Sequence, residues 1–202
     1  IPLLLLSATI GNAHQIAGWL KSIRKNECTV IKETGRPVPL YPLFLHPSGT
    51  LFPFLAGGST AAAKKRLYKK VQKFATIKHS SGMMRSRRLP PMGDVLKILF
   101  NYRLLPSIFF LKSRADCDHA LVLAAMRSHE EEPDRRERRL ARIEELITAV
   151  PHVAAHKQMH YLKEHAVGAH HSGQLPVWKL VIETLMTEGL LDAVFATSTV
   201  AA

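Results

Sequence analysis

Short apolar runs closed by small hydroxyl residues constrain this chain more than any other feature. Leu3 to Leu6 is continuously apolar and is followed by Ser7-Ala8-Thr9. Leu191 to Ala196 is largely apolar and is followed by Thr197-Ser198-Thr199. A run without polar alternation is what a strand buried on both faces requires. Cys28 to Ile31 and Ser107 to Leu111 read as two further strands. Helical patterns separate these runs, so the sequence predicts an α/β fold, a parallel sheet with helices on both faces.

The helices follow from spacing and caps. Asn12 stands where an N-cap is expected, with Gln15 three residues on, and Ile16, Trp19, Leu20 and Ile23 would form the buried face. Val95 to Tyr102 reads as a helix. Ser113, with Asp116 at the third position, predicts a capped helix whose Cys117, Ala120, Leu121 and Ala124 face inward. Asp134, with Glu137 three residues on, starts a helix to Val150, and Ala154 to His165 reads as another. Gln174 to Glu188 carries Pro176 in its first turn and Gly189 as its stop.

The chain has 202 residues, and 28 basic against 16 acidic side chains leave a net charge of +12. With 47% apolar residues this is a folding composition, not a disordered one. No apolar run approaches the roughly 20 residues of a membrane helix. Cys28 and Cys117 cannot build a disulfide framework and point to free thiols in a reducing cytoplasm. Ile1 in place of Met, and an uncharged Val200-Ala201-Ala202 end, predict a piece of a longer polypeptide. A natural piece and an engineered one would look the same.

Residues 61–91 hold ten bases and no acid, among them Lys64, Lys65, Arg66, Arg87 and Arg88. Leu67, Tyr68, Val71, Phe74 and Ile77 recur at helical spacing, so the first half reads as a basic amphipathic helix, and Arg85 to Pro91 as a basic loop. Charge alone admits a phosphate anchor, a solvated insertion or a helix lying on a membrane. Residues 127–145 interleave six bases with seven acids and read as a solvent-facing helix laced by i,i+4 pairs. Pro37, Pro39, Pro42 and Pro47 forbid a helix. The apolar residues among them, Val38, Leu40, Leu43 and Leu45, predict an extended linker that still packs. A lobe boundary falls within 35–92.

In open parallel sheets, function collects at the carboxyl ends of strands. Ser7-Ala8-Thr9 and Thr197-Ser198-Thr199 occupy such positions. Either tripeptide alone is also what ordinary capping uses.

Taken in order, the motifs resemble one family. Leu6-Ser7-Ala8-Thr9-Ile10-Gly11-Asn12, followed by Trp19-Leu20, resembles motif III of the superfamily-two DExH helicases, and is most similar to the superkiller-like RNA helicases. Arg36-Pro37-Val38-Pro39-Leu40 resembles their linker strand. Leu105-Pro106-Ser107-Ile108-Phe109-Phe110, with Ser113-Arg114 and Cys117-Asp118, resembles motif IV. Val167-Gly168-Ala169-His170-His171-Ser172-Gly173 resembles the paired-histidine segment before motif V, and Phe195 to Ala201 resembles the start of motif V. The matches cover most of the chain apart from roughly 48–92 and 127–160.

The resemblance implies RecA-like lobes: the end of a first lobe over 1–34, a linker and basic insertion over 35–92, and most of a second lobe over 93–202. It implies that Ser7, Ala8 and Thr9 couple ATP hydrolysis to strand movement. Ser113, Arg114, His170, His171, Gly173, Thr197 and Thr199 would lie at or near the nucleic-acid strand. In that setting the basic stretch becomes a nucleic-acid contact as well. ATP and Mg2+ would serve the intact parent, an ATP-dependent helicase acting on single-stranded or partly duplex RNA or DNA in the cytoplasm. No Gly-x-x-x-x-Gly-Lys-Ser/Thr loop and no Asp-Glu box occurs. The chain is therefore expected to lack ATP hydrolysis by itself, its ATP-binding lobe lying elsewhere in the same polypeptide, and to bind no membrane.

Two other classes fit the residues less well. One is a stand-alone nucleic-acid-binding module without catalysis. The other is a metal-dependent hydrolase built on His152, His156 and His160, which a continuous helix would put on one face with Glu164 nearby. Cys117 reads as a small core residue, and His170 and His171 could equally be core histidines satisfied by neighbours.

Overall fold

The computed structural model of the chain describes residues 3–6, 10–33, 38–56, 66–76, 89–126 and 131–197. Ser7, Ala8, Thr9, Lys64, Lys65, Arg87, Arg88 and Thr199 lie outside these. Residues 1–41 and 42–202 form two units.

Among the described residues of the first unit, only α1, Ala13–Arg24, is regular. It starts after Asn12 as expected, but the Asn12 side chain makes no capping bond. Trp19 and Ile23 are exposed, and α1 buries no residue. Leu3 to Leu6 form no strand and are 54–84% exposed, and Cys28 to Ile31 form none either. The expected strands and buried helix face are therefore not realised. A buried strand needs ladder partners on its edges, and none pairs here among the described residues.

The second unit opens with a hairpin, β1 (Leu43–Leu45) and β2 (Leu51–Pro53), turned at Gly49 with φ +82°. Of the proline-spaced residues expected to pack, Val38 and Leu40 are exposed, whereas Leu43 and Leu45 belong to β1, paired with β2, and Leu45 is half-buried. A short antiparallel pair, β3 (Leu55–Ala56) and β4 (Arg66–Leu67), leads into α2 (Lys69–Thr76).

The main sheet holds three parallel strands in the order β5 (Ser107–Leu111), β7 (Ala193–Thr197), β6 (Val167–His170). Leu111 pairs with Thr197 and His170 with Ala196, so the three carboxyl ends meet along one rim. Period-two alternation splits β7 between two cores. Ala193 and Phe195 pack with Leu96 of α3 (Met92–Asn101) and Cys117 and Leu121 of α4 (Arg114–Ala125). Val194 and Ala196 pack with Ile143 of α5 (Pro133–Ala149), Leu162 of α6 (Met159–His165) and Trp178 and Leu185 of α7 (Pro176–Thr187). This is the helix-covered parallel α/β sheet that the sequence predicts.

Local chemistry explains the element ends. The Ser113 hydroxyl accepts the Asp116 amide at 3.1 Å, as expected. Past α7, Gly189 adopts φ +70°. Its N–H donates to the Met186 carbonyl and that of Leu190 to Leu185, closing a Schellman stop. Two expectations fail. Asp134 does not cap α5, which instead starts with Pro133 after an uncapped Glu132. Residues 154–165 are not one helix either. A 3-10 turn, Pro151–Ala155, ends at an extended His156, and α6 begins only at Met159.

α5 is also less solvated than its composition suggests. Arg139 is fully buried. Glu131 accepts from both Arg139 and Arg135, and Arg135 reaches Asp192 at 2.8 Å and the Gly189 carbonyl at 3.1 Å. Arg136 pairs with Glu164, Arg142 with Glu188 and Lys163 with Glu144. Arg135 and Arg139 thus return to Glu131 just ahead of α5 and Arg142 also pairs with Glu145 along it, while the other pairs tie α5 to Asp192, to α6 and to the end of α7.

Candidate functional site

The candidate site is the rim where β5, β7 and β6 end. Beyond β5 stand Ser113 and Arg114, both exposed. Thr197 closes β7 and is partly buried. Beyond β6 the chain turns through His171, Ser172 and Gly173, of which Ser172 and Gly173 are exposed. A methyl group on Gly173 would stand 3.2 Å from Arg114 Cδ and 3.2 Å from His171 Nδ1. The Arg114 stem thus lies against this turn, and the lack of a side chain at 173 permits the approach. Residues quoted from three separate motifs therefore converge: Ser113 and Arg114, Thr197, and His171 with Gly173.

The two histidines do not face solvent. They are 8% and 6% exposed. His170 Nε2 lies 2.6 Å from Glu183 Oε1 of α7, and its Nδ1 is buried without a partner. His171 belongs to a closed ring of hydrogen bonds. Its Nε2 lies 3.4 Å from Asp118 Oδ1, which also accepts Gln158 Nε2–H at 2.7 Å. Gln174 Nε2–H donates to Gln158 Oε1 at 2.8 Å, and the His171 amide donates to Gln174 Oε1 at 3.3 Å. The Gly173 amide donates to His171 Nδ1 at 3.2 Å.

The directions in this ring are forced. An ionised carboxylate only accepts, so Gln158 must turn its amide N–H toward Asp118 and its carbonyl toward Gln174. Gln174 must then present its own carbonyl to the His171 amide. Since Nδ1 accepts from Gly173, the neutral imidazole carries its proton on Nε2, directed at Asp118; this tautomer is assigned from the bonds. The ring joins α4, the start of α6 and the exposed turn, and so fixes the 171–174 backbone.

Gln158 carried no signal in the sequence. It follows an irregular junction, and its partners lie 16 and 40 residues away. Asp118 is marked in the sequence only as part of the segment resembling motif IV. Neighbouring groups are set by burial. Burial pushes the Cys117 thiol up, helped by the charges of Asp118 and Asp116, as suits an inert core thiol. Burial holds His156 below the usual imidazole range, with Lys157 adding to that effect and Asp118 opposing it. The His156 ring stacks on Trp178 with centroids 3.6 Å apart.

That stack dissolves the zinc reading. His152 sits in the 3-10 turn, His156 on Trp178 and His160 beside His165. Among the described residues no group of three or more His, Cys, Asp or Glu could hold a metal ion. Among the basic residues, Arg66 is exposed on β4, remote in sequence from the rim elements.

The sequence of the chain decides its relationship. It is 32% identical over 217 residues to a probable helicase, HelY, of Mycobacterium tuberculosis, covering 97% of this chain and 24% of the relative. It is 31% identical to superkiller complex protein 2 of Mus musculus, over 100% of this chain and 18% of the relative. The chain belongs to the Ski-like DExH helicase family. A chloroplastic DExH-box ATP-dependent RNA helicase of Arabidopsis thaliana, DExH15, is 27% identical over 100% of this chain and 20% of its own length. The chain thus spans a quarter or less of these relatives. No protein-family model matches it. Within the Ski-like family frame, the rim unites the segments resembling motif IV, the paired histidines and motif V on a single parallel sheet. No helix among the described residues is long and apolar enough to cross a membrane.

Proposed function

We propose that this chain is part of an ATP-dependent helicase that couples ATP hydrolysis to translocation on, or unwinding of, RNA or DNA. The observation that supports this best is the gathering of Arg114, Gly173 and Thr197 on one carboxyl-end rim. In open parallel sheets that rim is where ligands sit. Exposed Arg114 offers a planar fork that suits a phosphate, and Ser113 and the Ser172-Gly173 turn flank it.

In this reading His170 and His171 act through position: their carboxylate partners hold them inward while the turn beside them meets the strand. Thr197 and Thr199 would extend the same contact, and Ser7, Ala8 and Thr9 would couple hydrolysis to movement. Lys64, Lys65, Arg66, Arg87 and Arg88 would add phosphate contacts. The boundaries 1–34, 35–92 and 93–202 would separate the first-lobe end, the linker region and the second lobe. Two free cysteines suit a cytoplasmic location.

ATP and Mg2+ would be held elsewhere in the polypeptide. The sequence contains no Gly-x-x-x-x-Gly-Lys-Ser/Thr, and none of its described glycines is followed by Lys-Ser or Lys-Thr. Its described residues do not fit that group. The test is ATP turnover by the intact polypeptide with and without RNA or DNA. Stimulation by nucleic acid is expected, with Arg114→Ala reducing it, while this chain alone shows no turnover. Absence of any stimulation in the intact protein refutes the reading.

A further inference from the structure

We propose that the module formed by the β1–β2 hairpin and α2 is a second nucleic-acid docking surface, separate in residues and elements from the rim. Its contact face is Lys69, Lys70 and Lys73, with Arg66 beside it. The inference extends the helicase reading, since it takes the same class of ligand to a different place.

The three lysines follow from helical spacing. At 3.6 residues per turn, positions 69, 70 and 73 fall within one face. All three are exposed, and so is Arg66. Among the described residues of 66–76 there is no acid, and Lys69, Lys73 and Arg66 form no ion pair with a described residue. The Lys70 ammonium lies 4.5 Å over the Phe52 ring, a cation–π contact that seats it on the module while the residue stays exposed.

The opposite face of α2 decides the kind of partner. Val71 is buried. Phe74 packs 5.3 Å from Phe44 and 5.2 Å from His46, and Tyr68 stacks on Phe52 at 6.2 Å. A helix that lies in a membrane interface needs its apolar face free to enter the acyl region. Here the hairpin already occupies that face. Gly49 of the turn approaches Ile98 of α3, so the hairpin itself is seated on the sheet unit. What remains is an exposed face whose charged residues are all basic, complementary to a row of phosphates. Ten bases and no acid across 61–91 give the surrounding segment the same sign.

The test uses the whole 202-residue chain. Binding of a short fluorescent oligouridylate is measured by anisotropy over a salt series, beside vesicles of phosphatidylcholine and phosphatidylserine. The wild type is compared with Lys69→Gln/Lys73→Gln, which keeps the Lys70–Phe52 contact, with the triple Lys→Gln variant, and with Arg114→Gln. Circular dichroism verifies that each is folded. Each lost phosphate contact lowers the slope of log K against log salt by about 0.7, so the triple variant should lose about 2 and bind at least about tenfold more weakly at low salt. Wild-type affinity and slope in the folded triple variant overturn the proposal. So does vesicle binding that exceeds RNA binding and is removed by the same substitutions. Loss in Arg114→Gln alone would leave the rim standing and this surface refuted. The helicase reading itself is judged separately, by stimulated turnover of the intact protein.

Discussion

Replacing Asp118 by alanine should break the hydrogen-bond ring that holds the 171–174 turn. Asp118 accepts two N–H groups, from Gln158 at 2.7 Å and from His171 at 3.4 Å. A hydrogen bond to a charged group contributes about 1.5–3 kcal/mol, and the first of these has the distance to do so. The second is long and contributes less. The donors left behind are 3% and 6% exposed, so a donor stranded there costs about 1–3 kcal/mol. The Asp118 carboxylate is 39% exposed, so water can enter the vacated position and limit that loss. The net expectation is about 2–4 kcal/mol for Asp118→Ala. Asp118→Asn keeps an Oδ1 acceptor and should lose about 1 kcal/mol, the charge-assisted part. Urea unfolding at unchanged m-value measures both. Amide exchange at Gly173, whose N–H ends on His171 Nδ1, reports whether the turn has loosened ahead of global unfolding. The ring argument is refuted if Asp118→Ala and Asp118→Asn unfold within about 0.5 kcal/mol of each other and Gly173 exchange does not change.

Three further outcomes follow from other parts of the fold. Glu131→Ala leaves the fully buried Arg139 without its carboxylate and should cost about 3–5 kcal/mol, whereas Arg139→Met removes the buried charge itself and should cost clearly less; the reverse order in urea unfolding would contradict the assignment. Gly168→Ala would set a methyl group 2.5 Å from Ile182 Cδ1 in a packed core and should cost about 1–3 kcal/mol in the same assay, a neutral result refuting the contact. His156 and His165 both titrate below the usual imidazole range, chiefly through burial. The unfolded chain then binds more protons, so stability rises with pH through the window below about 6.5 and falls on acidification. His156→Phe keeps a ring on Trp178 and should flatten that dependence; an unchanged pH profile would count against His156 as a source.

The fold was legible where local and tertiary demands coincide. β5, β7, α4 and α7 follow from apolar runs, a serine cap and a glycine stop that act within a few residues of themselves. Leu3 to Leu6 carries as strong an apolar signal as β7, yet it is exposed and β7 is buried. The difference lies in partners: β7 has β5 on one edge and β6 on the other, and hydrophobicity alone does not name a neighbour. β6 went unread as a strand because Gly168 weakens the pattern. The glycine is there because Ile182 and Leu162 occupy the space that a side chain would take. The break at His156 was equally hidden, since the contact that organises it is a ring 22 positions along the chain, Trp178.

The site divides in the same way. Small or charged residues in strand-end loops announced Arg114, Gly173 and Thr197, and the parallel sheet brings all three to one rim. The histidines are placed differently. A paired His-His before a loop suggests two ligands for a strand, but β6 ends with His170 facing α7 and His171 facing α4. Each ring meets a carboxylate, Glu183 or Asp118, and those partners lie 13 and 53 residues away. A sequence shows that a histidine stands beside a loop. For His171 the group on the far nitrogen is Asp118, 3.4 Å away, and that inward contact is what supports reading this histidine as holding the loop rather than touching a ligand.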